Sequence, residues 1–384
     1  MSATTVTPPT VGQMRQTMPS ELRQRSTLSA LSVLAPTWLL YMLGLLAIIY
    51  SPWWLMPLPA MLTSFVIGAL FVISHDAAHD AFTPRQWINS IVARVCFLPA
   101  WHSYTGWVHA HNHVHHGWTN LRTKDYVWSP MSKSEYDRLS FVDRALVRLY
   151  RSSLGYSFYY MYEVLLKKIF ILQPEVRNRK VRWLWVLDDL ALVGGIVLQS
   201  VAIVELSRWM GITTNPAWLI LGTVLLPAFL ANYWIGFITY LQHTHPLIPW
   251  FDNQEDWSFY MGQIKGTTHT QFSYKINSLI HNVMEHTAHH VDPRIPLYHL
   301  PVAQKKLEMA YPGDVVEHKF SFRTLLRTLR ICQLYDFENH RWLSFSGEPT
   351  SSRTVYLAPA EPVVEENSDE DAQEKSLHSV PPAE

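Results

Sequence analysis

Histidine is frequent in this chain, and its spacing indicates a chemical role. The 384 residues include 19 histidines, and 15 of these fall within residues 75–116 and 243–290. Three clusters with regular spacing stand out, and they read His75-Asp-Ala-Ala-His79, His111-Asn-His-Val-His115-His116 and His286-Thr-Ala-His289-His290. Neutral imidazole is a good ligand for iron, copper, nickel and zinc. The clusters therefore predict a metal site.

The spacing within each cluster suits a helix. Side chains three and four residues apart share one helical face, so each cluster can direct two or three imidazoles to a common point. We expect His75 and His79 to share a face in this way, as should His111 and His115, and likewise His286, His289 and His290. The eight histidines of the three clusters, with His116, His286, His289 and His290, exceed what one ion can bind. Two metal ions are the economical interpretation.

A fourth stretch, Gln242-His243-Thr-His245-Pro246, adds a candidate. His243 follows a long apolar run and is expected to be an extra ligand. His245 is the less favoured substitute, because the residue before a proline tends to leave a helix. Polar neighbours could accept the second ring N–H of a ligand and fix its tautomer. The candidates for this role are Asp76, Asp80 and Asn282, with Asn120 and Asp125 similarly placed.

The remaining histidines are expected to have other roles. His109 and His113 do not fit the helical face of His111 and His115, so we leave them out of the metal site. Histidines outside the clusters are interpreted as ordinary core or surface residues, and these are His102, His269, His299, His318, His340 and His378. No catalytic residue beyond the metal ligands is assigned, and none is assigned as a general base.

We expect helices that cross a membrane to position these histidines. The chain is 48% hydrophobic and only 16% charged, and no charged residue lies between Arg25 and Asp76. Apolar runs of about the 20 residues that a bilayer core requires occupy 31–50, 53–74, 187–206 and 216–241. Short linkers join them into two hairpins. We predict an all-α integral membrane protein with four transmembrane helices; a soluble all-α protein is the alternative.

Basic residues indicate the orientation. The tips of the hairpins carry almost none, whereas residues 75–183 hold 15 Lys and Arg. By the positive-inside rule, both termini, the middle segment and the histidine clusters should be cytoplasmic. Residues 1–28 form an N-terminal arm, 29–345 the membrane domain with a helical cap that carries the di-metal site, and 346–384 a disordered acidic tail. Segment 86–101 is too short to span and predicts an interfacial helix. Segments 133–152 and 154–172 predict amphipathic helices.

Composition excludes several other classes. The 31 basic and 31 acidic residues give no net charge, which argues against nucleic-acid binding. Two cysteines are too few for a disulfide scaffold or an iron–sulfur site. The sequence contains no glycine-rich phosphate loop and no dinucleotide fingerprint.

The motifs HDAAHD, HNHVHH followed by GWTN, QHTHP and HTAHH resemble those of the integral-membrane fatty acid desaturases. That family has three histidine boxes, the first two after one membrane hairpin and the third after the next. In this chain box one is HDAAHD, box two is HNHVHH and box three is HTAHH. The resemblance covers about residues 31–311. YLQHTHP, and HTAHH followed by PLYH, are most similar to acyl-lipid desaturases of the Δ12 type. Box two has three intervening residues and box one lacks the Cys and Gly that are usual in plants. These departures point to a bacterial branch and an inner-membrane location.

The resemblance implies a non-haem di-iron oxygenase. Two irons would use O2 and two external electrons to insert a cis double bond into an acyl chain, with membrane lipids as the expected substrate. The sequence carries no haem or flavin domain, so a separate electron donor is implied, a ferredoxin or a cytochrome b5 with its reductase. A related hydroxylase or carotenoid ketolase is the enzymatic alternative. A metal transporter is a third hypothesis, which the scarcity of ionisable residues inside the spans disfavours.

Overall fold

The computed structural model describes residues 8–355 and shows a mostly helical chain. In chain order the helices are α1 (Val11–Gln16), α2 (Thr27–Tyr50), α3 (Pro57–Ala78), α4 (Gln86–Phe97), α5 (104–118), α6 (Lys133–Arg138), α7 (Phe141–Tyr150), α8 (156–170), α9 (Arg179–Trp209), α10 (Pro216–His243), α11 (Phe259–Gln263), α12 (Tyr274–Leu279), α13 (His286–Val291), α14 (Leu300–Ala310) and α15 (Phe322–Ile331). Single turns of 3₁₀-helix lie at Ser20–Arg23 and Leu98–Ala100.

Four of these helices, α2, α3, α9 and α10, are long and apolar enough to cross a membrane. This confirms the four predicted spans, with different ends. The third begins at Arg179 rather than 187, because the Asn178 side chain caps the helix by accepting the N–H groups of Lys180 and Val181. Its Asp188 is neutralised by Arg94 of α4 at 2.7 Å. Pairing of this kind lets a carboxylate lie within an apolar helix.

The four long helices differ in how much of their surface is covered. In α3 and α10, 56% of the apolar window is buried, against 28% in α2 and 17% in α9. Helix α3 packs against α2, α4 and α10. The two inner helices end at the residues that matter for the site, since α3 carries His75 in its last turn and α10 ends at His243.

The shorter predicted helices are also present. Segment 86–101 forms α4, whose Trp87, Ile91 and Val95 lie on one face and are exposed, as an interfacial helix requires. Segments 133–152 and 154–172 form α6, α7 and α8. Helix α5 contains a π-helical stretch at Val108–His115, and α8 contains one at Tyr160–Phe170. Such wide turns shift side chains around the helix axis.

The all-α prediction is incomplete, because two small sheets follow α10. Strands β1 (Thr268–Gln271) and β2 (Val316–Lys319) pair in parallel, and β3 (Leu334–Asp336) and β4 (Arg341–Leu343) pair antiparallel. These strands have only three or four residues, too short for a clear alternating pattern. Their pairing depends on distant segments of the chain.

The tail boundary at 346 also needs correction. Residues 346–355 are hydrogen-bonded to the body of the protein, through Thr350 N–H to the Trp342 carbonyl and Thr354 N–H to the His340 carbonyl. These backbone bonds extend the edge of β4, which the polar composition of the segment does not reveal. The rest of the predicted tail, residues 356–384, lies outside the described residues, as do residues 1–7 of the predicted arm.

Candidate metal centre

All nine histidines singled out in the sequence come together in two groups. Within each group, one ring nitrogen per residue lies within 4.8 Å of the others. Group one consists of His75, His79, His111, His116 and His289, and group two consists of His115, His243, His286 and His290. Each group offers enough imidazoles for one ion, so the grouping fits two metal ions.

Helix α3 supplies the first two members of group one. His75 lies in the last turn of α3, and His79 is the residue at which the helix ends. Their ring centroids are 5.0 Å apart, and both rings are within 5 Å of the ring of His289. The spacing of four therefore brings the two imidazoles together, as predicted.

Box two departs from the predicted helical face. His111 belongs to group one and His115 to group two, and the partner of His111 is His116, at 3.1 Å between their Nε2 atoms. The π-helical stretch at Val108–His115 explains the change. With i to i+5 backbone bonding, residues five apart lie one above the other. One helix thereby serves both groups.

Box three is divided in a similar way. Helix α13 is an ordinary α-helix, so His286 and His290 share a face and both join group two. His289 was predicted to share that face, but it lies about 100° around the helix from His290 and joins group one instead. It approaches His116, with 3.2 Å between their Nε2 atoms.

The extra ligand candidate falls at the centre of group two. The Nε2 atom of His243 is 3.2 Å from that of His115 and 2.8 Å from that of His286. His245 leaves the helix, and its ring stacks on His318 at a centroid distance of 4.8 Å. The structure thus favours His243 over His245.

The converging ring nitrogens are better arranged to bind a cation than to hydrogen-bond to one another. Three Nε2 atoms converge in group two, and hydrogen bonds between neutral imidazoles cannot satisfy all of them, since each ring donates only one N–H. Burial and the neighbouring imidazoles lower the pKa of His111, His116 and His289 well below its usual value. The rings are therefore neutral and their lone pairs are available, which is the state that binds a metal.

Asp125 and Gln263 hold two of the histidines from outside. The Asp125 carboxylate is 3.0 Å from Nδ1 of His115 and also accepts the backbone N–H of Asn120. Asp125 was among the sequence candidates. Gln263 was missed, and its Oε1 lies 2.6 Å from Nδ1 of His290. Gln263 lies 27 residues before His290 in the chain, and no local pattern marks it.

The other polar candidates, Asp76, Asp80 and Asn282, bond to groups other than the nine histidines. Asp76 accepts the backbone N–H of Leu297, and the side-chain amide of Asn282 donates to the Leu297 carbonyl. Asp76 adjoins His75 in a helix and so points about 100° away from it. Asp80 has a φ of 56° beyond the helix end and accepts a bond from Gln86. These groups organise the surrounding backbone.

An apolar cavity of about 230 Å³ lies beside both groups. Its lining includes His75 and His111 from group one and three histidines from group two, His115, His243 and His286. Away from the histidines the walls are apolar and aromatic, with contributions from α3, α8, α10 and α12. A cavity with these walls suits a hydrocarbon chain that passes the two groups.

The histidines that were not assigned to the metal site lie elsewhere. One of them, His269, belongs to a third group of possible metal ligands. His102 is buried and bonded to Tyr160 and to the Ala100 carbonyl. His269 groups with Glu308 and Glu317, but its two ring nitrogens already face Glu285 at 2.8 Å and Glu308 at 2.5 Å. Burial opposes the charge on His269, yet these carboxylates prevail and raise its pKa to about 9. His269 is therefore an ion-pair residue.

Comparison with known proteins accords with this geometry. The fatty acid desaturase family model matches residues 51–321, which include all nine histidines. The chain belongs to the fatty acid desaturase family. This membership excludes the transporter hypothesis, and together with the four apolar helices it makes the chain a membrane enzyme. The match extends slightly beyond the C-terminal end of the resemblance seen in the sequence.

Named relatives of this desaturase come from plants and cyanobacteria. The chain is 30% identical over 302 residues to an omega-6 fatty acid desaturase, chloroplastic, of Glycine max, covering 78% of the chain and 67% of the relative. It is 27% identical over 303 residues to the sn-1 oleoyl-lipid 12-desaturase of Picosynechococcus sp., covering 79% and 82%. With the Synechocystis sp. protein of the same name it shares 26% identity over 331 residues, covering 84% and 88%.

Proposed function

We propose that this membrane desaturase inserts a cis double bond at the Δ12 position of acyl chains carried by membrane lipids. The observation that carries the proposal is the apolar cavity, which touches histidines of both groups. The names of its relatives, omega-6 desaturase and oleoyl-lipid 12-desaturase, support the position and the lipid carrier.

The reaction requires positioning more than acid–base chemistry. A methylene offers no polar group to grip, so the cavity walls must hold the chain in contact with the metal site and keep water out. Trp107 and Tyr160 are buried, and both line the cavity near the histidines. Overall, one CH2–CH2 unit loses two hydrogen atoms, O2 takes up these together with two electrons and two protons, and two waters leave with the alkene.

We further propose that the ions are iron, one in each histidine group. A bound iron pair supplies the capacity to reduce O2 and to oxidise an unactivated C–H bond. The chain's own residues hold that pair. Asp125 fixes the tautomer of His115, and Gln263 orients His290, so that in each ring the other nitrogen would be free to bind the metal.

The proposed topology has two hairpins, α2 with α3 and α9 with α10, and a cytoplasmic cap that carries the histidines at the bacterial inner membrane. A separate ferredoxin or cytochrome b5 is proposed as electron donor. The topology is open to test because Cys96 and Cys332 are both buried. A membrane-impermeant maleimide should label Ser51→Cys from the periplasm and should not label Ser346→Cys. Labelling of Ser346→Cys in intact cells would contradict the orientation.

The function is tested by expression in bacteria supplied with a compatible electron donor. Double-bond positions in the membrane lipids are then measured by mass spectrometry. We expect new cis-Δ12 acids in cells with the native chain and none with His289→Ala, which removes a member of group one. His318→Ala is the matched control, because His318 lies outside both groups. Hydroxylated lipids in place of alkenes would contradict desaturation, and activity in His289→Ala would contradict the site.

A further inference from the structure

The cavity that holds the proposed acyl chain reaches the side of the protein. Phe65 and Ile276 line it, yet 44% and 47% of their surfaces are exposed. Phe65 lies near the middle of α3, a membrane-spanning helix, and its ring stacks on Trp234 of α10 at 4.7 Å. The cavity wall therefore meets the outer surface at a height where the surroundings are lipid.

Helix α12 lies beside a membrane-spanning helix. His281, just after α12, contacts Thr37 of α2 with 3.2 Å between Nε2 and Oγ1. Tyr274 and Leu279 of α12 are exposed by 85% and 70%, and Lys275 between them is exposed as well. Apolar and basic side chains exposed together beside a membrane-spanning helix are typical of a segment at the membrane interface.

Helix α15 adds a basic stripe beside this opening. Phe320, just before α15, stacks on Phe272 at 4.8 Å and contacts Phe237 at 5.8 Å, and both of these rings line the cavity. Along α15 the exposed residues are apolar or basic, and they are Phe322, Arg323, Leu326, Arg327 and Arg330. Apolar side chains flanked by arginines are typical of a helix lying in the headgroup layer.

The arginines of this stripe are available for a ligand. The Lys and Arg ion pairs found within residues 8–355 involve other side chains, such as Arg23, Arg94 and Arg122. Arg323 and Arg327 are one helical turn apart, so their guanidinium groups can converge on one group with several acceptor oxygens. The planar guanidinium group of arginine is well suited to binding phosphate, an anion found at the membrane surface.

We propose that the substrate is a glycerophospholipid that enters sideways from the membrane, between α3, α10 and α12, while Arg323 and Arg327 bind its phosphate. The proposal rests on the proposed function and specifies its acyl carrier. A lateral opening at lipid depth lets a chain enter without leaving the bilayer. A soluble thioester would instead have to bring its polar carrier to this opening.

The proposal is tested by photolabelling, which requires no turnover. Purified full-length protein in nanodiscs is given phosphatidylglycerol with a diazirine in one acyl chain, and labelled peptides are identified by mass spectrometry. A neutral galactolipid and an acyl thioester with the same diazirine chain are compared. We expect phosphatidylglycerol to label peptides containing Phe65 and Ile276 preferentially, and R323Q/R327Q to lower its labelling relative to galactolipid by about tenfold.

Two control variants separate recognition from general charge and from misfolding. K305Q/K306Q removes two exposed charges from α14 and should leave the preference unchanged, whereas R323K/R327K should largely retain it. An unchanged preference in R323Q/R327Q, an equal loss in K305Q/K306Q, or stronger labelling by the thioester would each overturn the proposal. Clear labelling without any desaturation in cells would contradict the proposed function and leave the lipid site standing.

Discussion

Asp125 fixes one histidine of group two from behind, through the 3.0 Å contact with Nδ1 of His115. Both residues are buried. In Asp125→Asn the acceptor that orients the ring is weakened, and metal affinity should fall by about 10- to 100-fold. Retention of metal during titration with a chelator measures this loss. Asp137→Asn, which changes an exposed carboxylate paired with Lys133, should behave as the native chain, and equal retention in both variants would contradict the role of Asp125.

His269 provides a pH-dependent contribution to stability. Its pKa is raised from 6.5 to about 9, because its bonds to Glu285 and Glu308 outweigh the effect of burial. The protonated form is favoured in the folded state, so the contribution is complete below pH 6.5 and is lost as the pH rises through 9. Relative to His269→Gln it amounts to about 3 kcal/mol.

Thermal unfolding of both proteins in detergent, measured from pH 6 to pH 9.5, checks this prediction. The native chain should be more stable than His269→Gln at pH 6, and the difference should shrink towards pH 9.5. A difference that grows with pH would show that the ion pair does not favour the charged histidine.

Among the secondary-structure elements, the sequence predicted those that are marked by a local pattern of residues. The four apolar runs predicted α2, α3, α9 and α10, and helical spacing correctly placed His75 with His79 and His286 with His290. The same spacing failed for His111 and His115, because the π-helical turn in α5 depends on how that helix packs against its neighbours. It also failed for His289, which joins group one rather than the group of His286 and His290. The short strands and Gln263 depend on distant contacts, and a single sequence gives no sign of those.

One of these packing contacts is at Gly106 in α5. A Cβ added there would be 1.9 Å from the Ile169 carbonyl oxygen and 2.8 Å from the ring of Trp185, so α5 would have to move away from α8 and α9. We expect Gly106→Ala to cost about 1–3 kcal/mol of stability and to displace box two.

Gly117, on the same helix, is the control. A Cβ there meets nothing within 4 Å, so Gly117→Ala should unfold near the native temperature in a thermal-shift assay. If Gly106→Ala were as stable and as active as Gly117→Ala, close packing would not be what positions box two.

For the whole molecule, the main consequence of the fold is one apolar cavity between membrane helices. Gly68 of α3 lines this cavity, and a Cβ added there meets nothing within 4 Å. Gly68→Leu should therefore fold normally while its side chain occupies the path of the acyl chain. We expect desaturation to fall by at least about tenfold, as loss of chain positioning should cause.

Lipid analysis of expressing cells measures that loss. Gly194→Leu makes the same change on α9, at an exposed position with nothing within 4 Å, and should retain activity. Full activity in Gly68→Leu would show that the acyl chain does not pass this wall.

The proposed chemistry depends on a pair of irons held by the two histidine groups beside this cavity. The most direct test is the metal content of the purified, active protein, measured by mass spectrometry together with its rate of desaturation. We predict two irons per chain, with activity rising and falling with that number, and loss of iron and activity together in His289→Ala. A fully active protein with a single iron, or with zinc in place of iron, would contradict it.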